Sequence, residues 1–420
     1  MSRPRAPRQL RAGVGSRNDE TRQHNLSTVL TTIHHNGPLA RAEITRRTGL
    51  NRSTVGALVG ELGDLGLAFE TAPSEQLLRG RPSPIVNADP KVSALVINPD
   101  VDALTFGLVG LGGVVHKRER YELPRKPSPD EAIDMTIRLV DGIRDELAND
   151  YRVVGAGLVI PGLVRYRDGL VRRAPYLDWT NEPFAEHMSL ALGLPTFAGN
   201  DASIAMISEC LFGAGRGVSN LVYLNGFSVG IGGGVMVSGA PLVGEQGYAA
   251  ELGHTLVNCG TLRCYCGRRG CLETEVNLVR LRAAMASDLG DLYELDTVLK
   301  DTTDAGLKRE AERQILVLAE AIANFISVFN PEVVLLGGFL GALHAAWPDL
   351  VAQSVREAAF APLAENVRIE RATLRTRLPL LGSAELAFTP LLLDPAGAAT
   401  PERYLGPPSA MPETSRNGSR

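Results

Sequence analysis

Aromatic residues are scarce in this sequence, 5% of 420 residues, and cysteines scarcer still at five. An odd number of cysteines in a long chain without a secretory apolar stretch argues against a disulfide scaffold and for a reducing compartment, the cytoplasm. No uninterrupted apolar run reaches the roughly 18 residues that a membrane span needs, so no membrane partner is expected. Neither sign of charge dominates, with 43 Lys and Arg against 47 Asp and Glu. What is plentiful is hydrophobic side chains, 44% of the chain, which excludes wholesale disorder. The 44 glycines point to tight turns and close backbone approaches. A chain of this length accommodates two or three domains.

The near-neutral total hides an asymmetry. Residues 1–90 hold 12 basic and 8 acidic groups, while the remaining 330 hold 31 and 39. Within residues 1–60 ten arginines face three acids. A basic head on an acidic body suggests that the head meets a polyanion; an ordinary arginine-rich tail would look the same on charge alone.

Residues 1–20 lack apolar periodicity and read as a flexible arm. From Leu26, Val29, Leu30 and Ile33 an apolar helix stripe emerges, ended by Gly37-Pro38. A second short helix is expected over about 41–48, with Ile44 inward and Gly49 as its stop. Asn51 can cap a third helix, whose Val55, Leu58, Val59 and Leu62 form the buried stripe. Two strands, near 67–71 and 85–87, flank a basic turn, Arg79-Gly80-Arg81-Pro82. Three helices and a β-wing over 21–88 predict a winged helix-turn-helix. From about residue 91 to 394, short buried-strand runs (94–98, 104–109, 153–160, 221–224, 333–336) alternate with helical patterns (129–149, 202–211, 278–289, 308–329), which predicts an α/β body. Residues 395–420, rich in Pro, Ala, Gly and Ser, read as a disordered tail.

In helix-turn-helix proteins the second helix of the motif turns its first residues toward base edges. Here that end carries Asn51, Arg52, Ser53 and Thr54, short polar groups and one arginine suited to bases or phosphates. Arg79 and Arg81 could lie in a minor groove or along phosphates. The expected partner is double-stranded DNA; a purely structural or dimerising head is the alternative.

Gly253-His254, Cys264-Tyr265-Cys266-Gly267 and Gly270-Cys271-Leu272-Glu273 place one imidazole and three thiols within 18 residues. A Cys3His set suits a closed, tetrahedral structural zinc, with His254, Cys264, Cys266 and Cys271 as ligands. Free thiols are the alternative, since a Cys264–Cys266 disulfide would be strained. Cys259 and Cys210 read as packing thiols.

Together with Ile160-Pro161-Gly162, Gly199-Asn200-Asp201-Ala202, Gly230-Ile231-Gly232-Gly233-Gly234 and Ala250-Glu251-Leu252-Gly253-His254, this cluster resembles the ROK family of repressors, open reading frames and kinases. The resemblance runs from about residue 24 to 390. It implies a two-lobed, actin-like (ribonuclease H-like) sugar-binding body, with lobes of roughly 91–200 and 201–394. It implies that Asn200, Asp201, Glu251, His254 and Glu273 hydrogen-bond sugar hydroxyls, with Gly162 lining the pocket and His254 joining zinc to sugar. It also implies a homodimer or homotetramer.

Kinases of this family carry an Asp-x-Gly-Gly-Thr turn for nucleotide phosphates. The matching residues here are Asn98, Pro99, Asp100, Val101 and Asp102, so both glycines and the threonine are missing and two carboxylates stand where phosphate oxygens would lie. Val229 replaces a second-loop threonine, and Phe339 follows Gly337-Gly338 where a third glycine is usual. Asp201, at the catalytic-base position, is read as vestigial. The expectation is a non-enzymatic, sugar-responsive repressor; an ATP-dependent sugar kinase with an added DNA-binding head is the alternative.

Overall fold

The helical stripe Leu26, Val29, Leu30 and Ile33 is buried to 1% exposure or less, on helix α1 (Val14–Asn36). The computed structural model describes residues 14–72, 83–228, 230–257, 261–285 and 295–398. α1 starts seven residues before the expected boundary, inside the segment read as an arm. Extending a helix costs little once a packed stripe has nucleated it, so polar residues such as Asp19 and Glu20 join without a stripe of their own. Residues 1–13 lie outside the described residues.

Helix α2 (Arg41–Thr48) buries Ile44 and stops at Gly49, whose φ of +71° is left-handed. Asn51 caps helix α3 (Arg52–Asp64), which turns Val55, Leu58, Val59 and Leu62 inward. Strands β1 (Leu39–Ala40), β2 (Ala68–Thr71) and β3 (Ile85–Ala88) form an antiparallel sheet in the order β1-β3-β2. This is the winged helix-turn-helix topology. β1 is a surprise, because two residues are too few to show alternation. The compact unit containing these elements also includes Gly110–Val114 and the described part of Phe388–Glu402. Within it His34, 1% exposed, accepts the Gly112 amide proton at Nδ1 (2.8 Å) and stands edge-on to Phe388. Residues 395–398, read as part of a tail, turn back on Asp394 through the amides of Gly397 and Ala398; residues from 399 lie outside the described residues.

The second unit, Ser93–Val109 and Val115–Ala387 in its described part, is built on two five-stranded sheets. The first runs in the order Thr196–Asn200, Arg152–Ile160, Val92–Pro99, Ala103–Gly110, Val114–Glu122; the second in the order Ala240–Pro241, Ile231–Val237, Leu221–Gly226, Val333–Gly337, Arg368–Arg371. Strands Val92–Pro99 and Ala103–Gly110 are buried almost throughout, as their unbroken apolar runs require. Val114–Glu122, an edge strand of mostly charged residues, has no apolar period and was not anticipated. A small sheet of Leu163–Val164, Val171–Ala174 and Trp179–Glu182 is likewise too short to read.

The helical pattern expected over 129–149 is two helices, Pro129–Gly142 and Arg144–Asp150, divided at Ile143. Ser128 and Glu131 form a reciprocal capping box at the start of the first. The pattern expected over 278–289 is helical at Leu278–Ala283, and 286–294 lie outside the described residues. Asp304 caps the long helix Ala305–Phe329, whose Leu307, Ala311, Ile315, Leu318 and Ile322 pack on Val222, Leu224 and Val334 of the second sheet. Glu209, fully buried on helix Asp201–Phe212, accepts hydrogen bonds from the amides of Ala214 (2.8 Å), Thr373 (2.8 Å) and Leu374 (2.7 Å). Those donors hold that helix against the loop leaving strand Arg368–Arg371 and repay the burial of a charge.

Candidate functional site

The glycine-rich strand Ile231–Val237 decides what meets in the body. A Cβ on Gly232 would lie 2.5 Å from the Cβ of Ala202, so only glycine admits the first turn of helix Asp201–Phe212 there. A Cβ on Gly253 would lie 1.9 Å from the carbonyl oxygen of Ile231. The single turn Leu252–His254 therefore seats directly on the same strand. The run Gly230–Gly234 serves packing here, and packing brings Asn200 and Asp201 beside Glu251 and His254.

Asn200 ends strand Thr196–Asn200 and caps the following helix, its Oδ1 accepting from the Ser203 amide (3.0 Å). Its Nδ2 donates to the Gly162 carbonyl (3.0 Å) and to Asp201 Oδ1 (3.1 Å). Asp201 Oδ1 also accepts from the Ala202 amide (2.8 Å). The cleft walls shield Asp201 from water and push its carboxyl up to about 7, with Glu251 and Asp100 adding repulsion. Glu251 is likewise pushed up to about 7, by burial and then by Glu273. Glu251 follows Ala250, whose φ of +65° is rare for a residue with a Cβ.

Gly162, Asn200, Asp201, Glu251, His254 and Glu273, the residues expected at a sugar, all line one cavity of about 360 Å³. Tyr176 and Tyr265 line it too and were missed. Tyr265 lies between Cys264 and Cys266, a signal that was available; Tyr176, in a turn of the small sheet, gave none.

His254, Cys264, Cys266 and Cys271 come together with their ligand atoms all within 4.8 Å of one another. A tetrahedral ion with metal–sulfur bonds near 2.3 Å holds its sulfurs about 3.7 Å apart. Cys266 Sγ and Cys271 Sγ are 3.6 Å apart, and Cys264 Sγ is 3.5 Å from His254 Nδ1. The donor set therefore fits a closed metal site. Glu273 Oε1 adjoins it, 2.8 Å from Cys264 Sγ and 3.3 Å from His254 Nδ1. Cys210 is half-buried against the second sheet's core, and burial pushes its thiol up to about 12. Cys259 lies outside the described residues.

At the expected phosphate positions the contacts change in detail. Asn98 and Asp100 line it, but Asp102 does not; its carboxylate is turned to Arg120 (2.8 Å). Arg118 and Arg120 line the same wall, so the charge there is mixed rather than purely acidic. Phe339 is fully buried in the core and does not line the cavity, so its replacement of glycine is a packing change and not a plug. Val229 lies outside the described residues. What stands against a phosphate cradle is Asp100, a charged side chain at a glycine position.

In the head, Asn51 Oδ1 accepts from the Thr54 amide (2.8 Å) and the Ser53 hydroxyl (2.7 Å), so its acceptor is spent on capping. Arg22 pairs with Glu61, Arg41 with Glu70, and Arg46 and Arg47 with Glu43, whose carboxyl these guanidiniums hold down at about 2. Arg52, exposed at the first turn of α3, forms no ion pair among the described residues. Arg79 and Arg81 lie outside them.

The ROK family model matches residues 97–389, and the chain belongs to the ROK family. It is 27% identical over 394 residues to a putative xylose repressor of Caldicellulosiruptor sp. (strain Rt8B.4), covering 89% of this chain and 98% of that protein. A glucokinase of Thermotoga maritima is 31% identical over 263 residues, but that match covers 58% of this chain and 81% of the kinase. The crystal structure of a ROK family transcriptional regulator, a homologue of the Escherichia coli MLC protein, superposes with a TM-score of 0.72 at 25% identity, over 89% of this chain and 98% of that one. Among the described residues no helix is long and apolar enough to cross a membrane.

Proposed function

We propose that this protein is a transcriptional repressor whose winged head binds an operator and whose body releases it on binding a sugar or sugar derivative. The observation that carries this reading is Arg52, exposed at the start of α3 with no ion pair among the described residues, while the head's other described arginines from Arg22 to Arg47 have carboxylate partners. The similarity to a putative xylose repressor over 89% of the chain supports it. Asn200, Asp201, Glu251, His254 and Glu273 would take the sugar hydroxyls, a carboxylate–amide set suited to vicinal diols. Zinc suits the Cys3His donors, with His254, Cys264, Cys266 and Cys271 as ligands; when bound it supplies a fixed orientation to His254 and the loop around it. Two copies of the head would read the halves of a palindrome, which makes a homodimer or homotetramer the working form.

The test is a mobility-shift titration on DNA from the protein's own promoter region, with salt and sugar varied. DNA affinity should fall steeply with salt. Arg52→Ala should weaken it by about 1–3 kcal/mol. D-xylose or another sugar should weaken wild-type binding through ~1–3 kcal/mol of coupling. DNA affinity indifferent to every sugar tried would remove the sensor.

A sugar kinase is the second reading, favoured by Asp201, whose carboxyl near 7 suits a general base. With Asp100 in the phosphate turn, incubation with Mg-ATP and D-glucose or D-xylose should release no ADP above an Asp201→Asn control. Steady turnover above that control would make the protein an enzyme.

A further inference from the structure

The two ring nitrogens of His254 have different neighbours. Nδ1 faces the metal-ligand side, 3.5 Å from Cys264 Sγ. Nε2 lies 2.9 Å from the phenol oxygen of Tyr265. The rings stand edge to face with centroids 5.1 Å apart. Tyr265 is itself 51% exposed, lines the cavity, and meets the ring of Tyr176 edge-on at 5.5 Å. With Nδ1 given to a metal, Nε2 carries the ring's proton and has one good hydrogen bond to make. In this structure the phenol takes it.

We propose that Tyr265 is an internal competitor for the effector: its phenol occupies the hydrogen-bonding position on His254 that a sugar hydroxyl must take, and so sets the affinity and selectivity of the site. The inference rests on the sugar reading above. A sugar with a hydroxyl facing His254 has to displace the phenol, which its half-exposed position at the cavity wall permits. A sugar lacking that hydroxyl leaves the phenol in place and gains nothing from its removal. Tyr265 is thus a specificity-determining residue that acts through His254.

Isothermal titration of the full-length, zinc-loaded protein tests this, with a panel of pentoses and hexoses headed by D-xylose and D-glucose, on wild type and Tyr265→Phe. Zinc content and melting temperature are measured on the same samples. The variant keeps the ring and its packing but frees Nε2, so the sugar should bind about three- to tenfold more tightly, the worth of one net hydrogen bond, with zinc unchanged. The gain should vanish for the deoxy sugar that lacks the hydroxyl facing His254, identified by comparing singly deoxygenated analogues. Equal or weaker binding by the variant, with zinc intact, would overturn the proposal and make the phenol a bystander or a direct sugar contact. Loss of zinc would also overturn it, by assigning the phenol to holding the metal loop. Failure of every sugar to bind either protein would instead remove the sugar reading, and the competitor with it.

Discussion

Replacing Asp201 by alanine is expected to weaken sugar binding by roughly two orders of magnitude, because hydrogen bonds to a charged group are worth about 1.5–3 kcal/mol each. Asp201 Oδ1 is committed to the Ala202 amide and Asn200 Nδ2, and Oδ2 has no partner among the described residues. The free oxygen is the one a hydroxyl would reach. Isothermal titration on wild type and variant measures the loss, and a change of less than threefold would place the sugar elsewhere. The same carboxyl brings a pH dependence. Burial pushes Asp201 up to about 7, and the carboxylate is the form that accepts a hydrogen bond from a sugar hydroxyl. It prevails above that pH and is lost as the pH falls through it, so sugar affinity should drop between pH 8 and pH 6. Asp201→Ala should flatten part of that slope; Glu251, also near 7, keeps the remainder.

On the zinc reading proposed above, replacing Cys271 by serine is expected to remove the metal. Cys271 is fully buried and immediately precedes the short helix Leu272–Glu275, which carries Glu273 into the cavity. The loop it anchors is also held by backbone hydrogen bonds, among them Leu272 N to Thr255 O (2.8 Å), Val257 N to Gly270 O (2.9 Å), Gly270 N to Leu262 O (3.0 Å) and Cys264 N to Arg268 O (2.9 Å). Structural zinc contributes about 10–16 kcal/mol of apparent binding energy in small zinc-dependent folds, more than those backbone bonds at about 0.5–1.5 kcal/mol each. Zinc should fall from about one ion per chain to a small fraction, hydrogen exchange should accelerate around 251–273, and sugar affinity should drop at least tenfold. The disturbance should stay local. Arg313 Nη2 donates to the Glu275 carbonyl (2.6 Å), and Gln314 exchanges hydrogen bonds with the backbone of Asn277 (3.1 Å each), so the long helix Ala305–Phe329 grips the chain just beyond the metal loop. Full activity in a zinc-free protein would refute the reading of the cluster.

The elements legible in the sequence are those whose side chains must serve one buried face. Val55, Leu58, Val59 and Leu62 declare α3 by their spacing, and the long run at Val92–Pro99 declares a strand buried on both sides. Elements defined by partners rather than by their own composition were not legible. Val114–Glu122 pairs with a neighbour through its backbone while its side chains are polar, and β1 is two residues that exist as a strand only because β3 lies alongside. The same distinction runs through the site. The cysteine spacing pointed to the Cys3His cluster that the fold brings together, because metal chemistry restricts its donors. The residues proposed for the sugar stood out only as a set within family motifs, since each side chain alone has many uses; the structure brings them to one cavity. Phe339 and Asp102 show the cost of reading position without direction: one points into the core, the other to Arg120. Tyr265 on His254 depends on a loop closing back on itself, which no linear pattern encodes.

The burial of His34 bears on how the head could be handled in isolation. Its Nδ1 accepts a hydrogen bond from the Gly112 amide, and its ring rests on Phe388, residues that are 78 and 354 positions further along the chain. A fragment cut at Val92 would strip both from a histidine that is otherwise sealed from water, and open an apolar hole beside it. The DNA-reading head is therefore not a detachable cassette. A chimera that grafts it onto another sensor must bring along the loop at 110–114 and the stretch beginning at Phe388, or replace His34 with a residue content to face solvent.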